Sequence, residues 1–271
     1  MYPDLLGKVA VVTGAATGLG AGIARRFLEE GMCVVVNYHS DARRQAAEDL
    51  VAWSENLSAA GERQSKARAV AVQADVSVEE GVFALRDAAL ETFGRLDVWV
   101  NNAGIEVRYK THELPLEAWD KMIAVNLTGT FLGSRTAIEH WVELEKPGCI
   151  INLSSVHERI PWPTFAAYTA SKGGVKMFTQ TIALEYADRG IRANCIAPGA
   201  IETPINAEKF DDPKARALTQ SMIPSDAIGQ VSHVADAAAW LASEQSDYVT
   251  GHSLFVDGGM SLYADFQRGD G

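Results

Sequence analysis

A β-branched run, Lys8 to Thr13, ends in Thr13-Gly-Ala-Ala-Thr-Gly-Leu-Gly20 and passes directly into a helical pattern from Gly18 to Glu30. A buried strand that turns through glycines into a helix suits a parallel sheet with helical crossovers, because parallel strands cannot be joined by a tight hairpin. The rest of the chain repeats this alternation. Met32–Asn37, Arg68–Gln73, Leu96–Asn101, Cys149–Ser154, Arg192–Ile196 and Ser253–Val256 read as further strands. Asp41–Ala60, Val78–Phe93, Pro115–Leu144 and Ala166–Ala187 read as the helices between them. The expected fold is α/β: one doubly wound parallel sheet of about seven strands, Rossmann-type, with helices on both faces and ligands at the carboxyl ends of the strands. Nothing splits the 271 residues, so 1–271 reads as a single domain. Pro198–Ser225 is the one long interruption, and it reads as a partly helical lid over the site.

The net charge of −11 argues against nucleic acid or an anionic membrane as the main partner. Three widely spaced cysteines, Cys33, Cys149 and Cys195, fit neither a disulfide framework nor a zinc site and read as small buried hydrophobes. The start has no basic region followed by a long apolar run, so the expected location is cytoplasmic.

Within the glycine turn, Gly14 permits the tight bend and Gly18 lets the backbone approach a pyrophosphate. Gly20 lets the next helix pack on the strand, and that helix presents free amides to phosphate. No Gly-Lys-Ser/Thr follows, so a triphosphate P-loop is not indicated. A dinucleotide site is expected, with Thr13, Gly14, Thr17, Gly18, Leu19 and Gly20 as contacts.

Tyr168 and Lys172 are one helical turn apart in Tyr-Thr-Ala-Ser-Lys. A tyrosine hydroxyl has a reference pKa of about 10, but an ammonium beside it favours the phenolate, so the pair can act as a base in a sheltered cleft. The bland alternative is a tyrosine packed under a solvated lysine stem.

The TGxxxGxG spacing resembles that of the short-chain dehydrogenase/reductases. Asp75 in Ala-Asp-Val, Asn101-Asn-Ala-Gly104, Asn126 on the long helix, and Ser155 thirteen positions before Tyr168 match the same family. The resemblance implies a catalytic set of Asn126, Ser155, Tyr168 and Lys172. Tyr168 would take a hydroxyl proton while hydride leaves the same carbon for a nicotinamide, and Ser155 would hold the substrate oxygen. Lys172 would bind the nicotinamide ribose, and Asn126 would hold a water linking Lys172 to solvent. For Asn126 the alternative is a helix-bending polar residue satisfied by backbone. Further cofactor contacts are implied at Asp75, Val76, Asn102, Ala103, Gly104, Pro198, Gly199, Ile201 and Thr203.

The end of the second strand reads Asn37-Tyr-His39-Ser40. No carboxylate there bars NADP, and no arginine occupies the stretch, so both NAD and NADP are expected to serve, with Asn37, His39 and Ser40 nearby. Arg43 and Arg44 read as part of a solvated helix face.

Ile151 to Pro163, Thr203 to Phe210, the two termini and Gly-Gly-Met resemble bacterial glucose 1-dehydrogenases. That resemblance implies a homotetramer oxidising β-D-glucose at C1 to the 1,5-lactone, with Glu106, Ser155, His157, Tyr168 and Glu202 toward the sugar. His157 could instead be a loop histidine bonded to backbone, and Trp162 is either a sugar platform or loop packing. Three departures stand out: Glu202 where those enzymes carry Asn, His39 where some carry Arg, and a longer region from Trp53 to Lys66. Competing readings are a reductase of a 3-oxoacyl thioester or keto-polyol, and a non-catalytic dinucleotide sensor.

Overall fold

A computed structural model of the chain describes residues 1–59, 67–206 and 210–262. The aromatic tail with Tyr263 and Phe266, part of the longer region before Ala67, and 207–209 of the expected lid lie outside them.

Among the described residues, seven strands form one sheet: β1 Val9–Val12, β2 Cys33–Tyr38, β3 Arg68–Gln73, β4 Val98–Asn101, β5 Gly148–Leu153, β6 Ile191–Pro198 and β7 Ser253–Val256. Their order is β3-β2-β1-β4-β5-β6-β7, and every neighbouring pair is parallel. The helices are α1 Gly18–Glu29, α2 Arg44–Ala59, α3 Glu79–Phe93, α4 Leu116–Ile123, α5 Gly129–Glu143, α6 Ala166–Tyr186, α7 Pro213–Ser221 and α8 Val231–Ala242.

Side chains alternate across each strand, so Val9 and Val11 point to one face while Ala10 and Val12 point to the other. One face packs on α1, α2 and α8 through Ile23, Phe27, Leu50, Val234 and Leu241. The other packs on α3, α5 and α6 through Leu85, Leu132, Trp141 and Ile182. Burial on both faces is why the central strands read as continuous apolar runs. Cys33, Cys149 and Cys195 are all buried, and none is in a disulfide.

The structure departs from the sequence reading in two helices. The expected continuous helix Pro115–Leu144 is divided by a π turn, Ala124–Thr128, centred on Asn126. The reading also assigned no helix to α8. Five of its twelve residues are alanine, which blunts the hydrophobic periodicity. Its N-cap is Gln230, closed by a capping box with His233, and not one of the short polar residues that usually announce a helix start. No helix among the described residues is long and apolar enough to cross a membrane.

Candidate active site

The switch point of the sheet lies between β1 and β4, and the glycine turn sits there. Gly14 and Gly18 have φ of +62° and +58°, a backbone that favours glycine. A Cβ on Gly20 would come closer than 3.0 Å to both the Asn102 amide and the Gly14 carbonyl. Thr13 Oγ1 accepts from the amides of Asn102 and Ala103, and Asn102 Nδ2 donates to the carbonyls of Thr13 and Gly14. The two loops are thereby locked together. Thr17 caps α1 in extended conformation and makes no side-chain capping bond, which leaves the first-turn amides to an anion. Leu19 packs against the α1 side of the core, and the methylenes and methyls of Thr203–Pro204 close over Gly18 from the loop after β6. Positive-φ glycines, a filled Cβ position and uncapped amides fit a dinucleotide pyrophosphate.

At the adenosine end, Asn37 has a different part from the one expected. Its amide accepts from Gly14 N–H and donates to the carbonyls of Tyr38, Val72 and Ala74, so it braces the turn and does not face a ligand. His39 and Ser40 are exposed beyond β2. Asp75 accepts from the amide and hydroxyl of Ser77. Burial alone would raise its carboxyl, but those bonds and the His39 imidazole outweigh it and hold the group below the usual carboxylate range. The sequence reading left this end without an arginine. Arg44 reaches it, lying 5.7 Å from the Tyr38 ring centroid and donating to Gln73 Oε1 and Asp41 Oδ1.

Buried polar groups run beneath the site. Asn101 accepts from Trp99 Nε1 and donates to Ser134 Oγ and Asn152 Oδ1, and Asn152 donates on to Thr179 Oγ1. The sequence reading passed over Asn152 and Thr179, because each looks like an ordinary residue of its own element.

At the end of β5, Ser155 Oγ accepts from His157 N–H, and its side chain stands by the Tyr168 hydroxyl, where it favours the phenolate. Ser154, its neighbour, faces the Lys172 carbonyl instead. Lys172 is anchored at the strand end. Its Nζ donates to Leu153 O at 2.6 Å and lies 5.7 Å from the Tyr168 ring centroid. A buried ammonium takes the nearest strong acceptor, here a carbonyl at the strand end. Burial pushes the Tyr168 hydroxyl up to about 12, opposed by Ser155 and reinforced by the Glu106 charge. Burial likewise pulls Lys172 down to about 8, against Cys195, Glu158 and Glu106.

Asn126 is buried in the π turn. Its side chain accepts from Ile105 N–H and donates to Ile105 O, with Ser171 Oγ 3.3 Å away. The amide therefore clamps the loop after β4 onto α6, which is the backbone-satisfied arrangement. Asn126→Leu would leave both Ile105 backbone groups unpaired. A loss of about 2–4 kcal/mol is expected in urea unfolding, with the midpoint lowered and the slope unchanged.

Around Tyr168, Glu106 is exposed on the loop after β4, with its charge felt at both Tyr168 and Lys172. His157 has Nδ1 3.0 Å from Ile160 O and stacks on Trp162 at 4.3 Å between centroids. Trp162 stacks in turn on Phe165 at 3.7 Å, and both His157 and Trp162 meet Tyr168 edge-on. Trp162 is therefore committed to its own loop, which removes it as a sugar platform. Glu202 is also committed. It pairs with both terminal nitrogens of Arg216 on α7 and accepts from Gln230 Nε2, which holds its carboxyl below the usual range. That ion pair stands in place of the sugar contact expected of Glu202.

The glycine cradle and the Ser155–Tyr168–Lys172 cluster share one edge of the sheet. The sequence model of a family described as Enoyl-(Acyl carrier protein) reductase matches residues 14–261. The chain is a short-chain dehydrogenase/reductase. It is 58% identical to 3beta-hydroxysteroid dehydrogenase 1 of Eggerthella lenta over the full length of both chains. It is 50% identical to Glucose 1-dehydrogenase 2 of Bacillus subtilis, covering 97% of this chain and 98% of that one. Among solved structures, a gluconate 5-dehydrogenase from Burkholderia cenocepacia, in complex with NADP and tartrate, superposes with a TM-score of 0.85 at 33% identity. That match covers 96% and 98% of the two chains. As a short-chain dehydrogenase/reductase, the protein is an oxidoreductase.

Proposed function

We propose that the protein oxidises a secondary hydroxyl carried on a ring, a 3β-hydroxysteroid first and an aldose second, with NAD or NADP. The observation that carries the reaction type is the gathering of Ser155, Tyr168 and Lys172 at the end of β5, with Lys172 Nζ 5.7 Å from the Tyr168 ring centroid, at the same strand ends as the glycine cradle.

In this reading Gly14, Gly18, Gly20 and the α1 amides hold the pyrophosphate. Asp75, Val76 and the 102–104 loop border the adenosine, and Pro198 to Thr203 cover the other side. Arg44, His39 and Ser40 border the ribose and tolerate a 2′-phosphate. When bound, the cofactor supplies a hydride acceptor. Ser155 holds the substrate oxygen and Tyr168 receives its proton.

With its hydroxyl near 12, Tyr168 is a poor base; bringing it to about 8 requires about 5 kcal/mol. Moving the Lys172 ammonium from Leu153 O to about 4 Å from the hydroxyl supplies about 4 kcal/mol at a partly dry surface. Lys172 thus activates Tyr168 only after turning toward a bound ribose. Asn126 acts by fixing the 105 loop against α6.

For the substrate, Glu202, the residue that departs from the glucose pattern, is spent on Arg216. That favours a steroid ring over a sugar, as does the 58% identity over the whole chain. Glu106, at the same mouth, favours the aldose. Residues 198–225, with α7 tied by Glu202–Arg216, act as the lid. Exposed Phe131, Met177 and Leu184 on α5 and α6 suit the helical interface of a symmetric tetramer.

The test is the initial rate of reduced nicotinamide formation with 3β-hydroxysteroids, glucose, other aldoses and polyols, each with NAD and with NADP. A kcat/KM for the steroid at least about tenfold above glucose supports the reading, being about 1.4 kcal/mol of discrimination. The reverse ratio hands the site to the sugar. Inactivity on every ring alcohol would overturn both. A cofactor preference above about 100-fold would remove the dual-cofactor assignment.

A further inference from the structure

Glu158 closes the short turn Val156–Glu158, three residues after Ser155, and that turn packs against α6. Its side chain is 0% exposed, and neither carboxylate oxygen has a hydrogen-bond partner among the described residues. Its one ion pair is with Lys176, 3.8 Å away and itself one-third exposed. Lys176 follows Lys172 by one helical turn. An unbonded buried carboxylate is costly to keep, and packing alone would be served as well by a neutral side chain.

We propose that Glu158 is a positioning residue for the Tyr168–Lys172 pair, its buried charge keeping the Lys172 ammonium cationic and in place while Lys176 moderates that charge from the surface. The proposal rests on the oxidoreductase reading above. The groups facing Lys172 are Glu106 from the loop after β4, Glu158 from the turn after β5, Cys195 from β6, and Tyr168 and Lys176 from its own helix. Of the two carboxylates, Glu106 is exposed and screened by solvent, whereas the Glu158 side chain is dry. A negative charge there raises the affinity of Lys172 for a proton, so removing it moves Lys172 toward its neutral form.

The experiment is a pair of opposed charge changes in the full-length enzyme. Glu158→Gln keeps the shape and removes the charge; Lys176→Met removes the moderating cation from a partly exposed position. Two readouts are taken: the pH profile of kcat, and the titration of the Lys172 side chain by NMR in lysine-labelled protein, assigned with Lys172→Met.

With Glu158→Gln, the Lys172 midpoint, and the limb of the profile that follows it, are expected to fall by about 1 pH unit. With Lys176→Met they move upward by several tenths of a unit. A lower kcat with unmoved limbs, or shifts of the same sign in both variants, would overturn the proposal and leave Glu158 a packing residue. Should Glu158→Gln fail to fold, the upward shift in Lys176→Met decides alone. If the wild type turns over no ring alcohol, the substrate reading fails separately, because the Lys172 titration needs no substrate.

Discussion

Tyr168→Phe is expected to lower kcat by about 100- to 10,000-fold, the range that general acid–base groups supply, while the dissociation constants of NAD and NADP stay within about twofold. The substitution removes one oxygen from a ring that meets His157 and Trp162 edge-on, so the fold around it has little reason to change. What is lost is the hydroxyl that pairs with Ser155. Stopped-flow measurement of cofactor binding beside steady-state turnover checks both halves. Turnover within threefold of wild type would remove Tyr168 from the chemistry, and a parallel loss of cofactor binding would make it a binding residue. The second outcome has a physical route, because the buried Lys172 ammonium lies 5.7 Å from the Tyr168 ring centroid.

Gly20→Val is expected to act at the opposite end of the reaction. Its Cβ would collide with the Asn102 amide and the Gly14 carbonyl, neither of which can retreat. Asn102 is held by bonds to the Thr13 and Gly14 carbonyls, and Gly14 is held by Asn37 and by its own positive φ. The expected result is a rise of at least about 100-fold in cofactor Kd, about 2.7 kcal/mol, measured by protein fluorescence. A stability loss of about 1–3 kcal/mol should accompany it, since the strain falls within packed backbone. Intact cofactor affinity in a stably folded variant would place the pyrophosphate elsewhere.

These two variants separate parts of the molecule that differ in how legible they were. The glycine turn was readable because its cause is local. Positive φ and a crowded Cβ position are demands on single residues, and Gly14, Gly18 and Gly20 answer them within eight positions. Strand placement was readable for the same reason: burial on both faces imposes continuous apolar runs. The pairing of Ser155 with Tyr168, and the turning of Ser154 away from it, follow the spacing along the chain.

Other features depended on partners far away in sequence. That Lys172 Nζ donates to the Leu153 carbonyl is decided by how β5 ends beneath α6, and helix periodicity carries no trace of that. Asn37 looked like a ligand contact because it stands at a strand end, yet Gly14 on β1's exit and Ala74 beyond β3 both claim its amide. Glu202 looked free to recognise a hydroxyl until α7 folded back and placed Arg216 against it. The α8 helix escaped notice because alanines carry little periodic signal. Glu158 looked like one more charged loop residue.

The sequence by itself determined the parallel α/β fold, the glycine turn and the set of residues proposed to react, since each rests on the stereochemistry of one residue or on short spacings. Tertiary structure alone decided where the charges of Lys172, Glu158 and Glu202 point and how dry they are. Coulombic and desolvation energies depend on distances across the fold, and those exist only once β5, α6 and α7 are packed together.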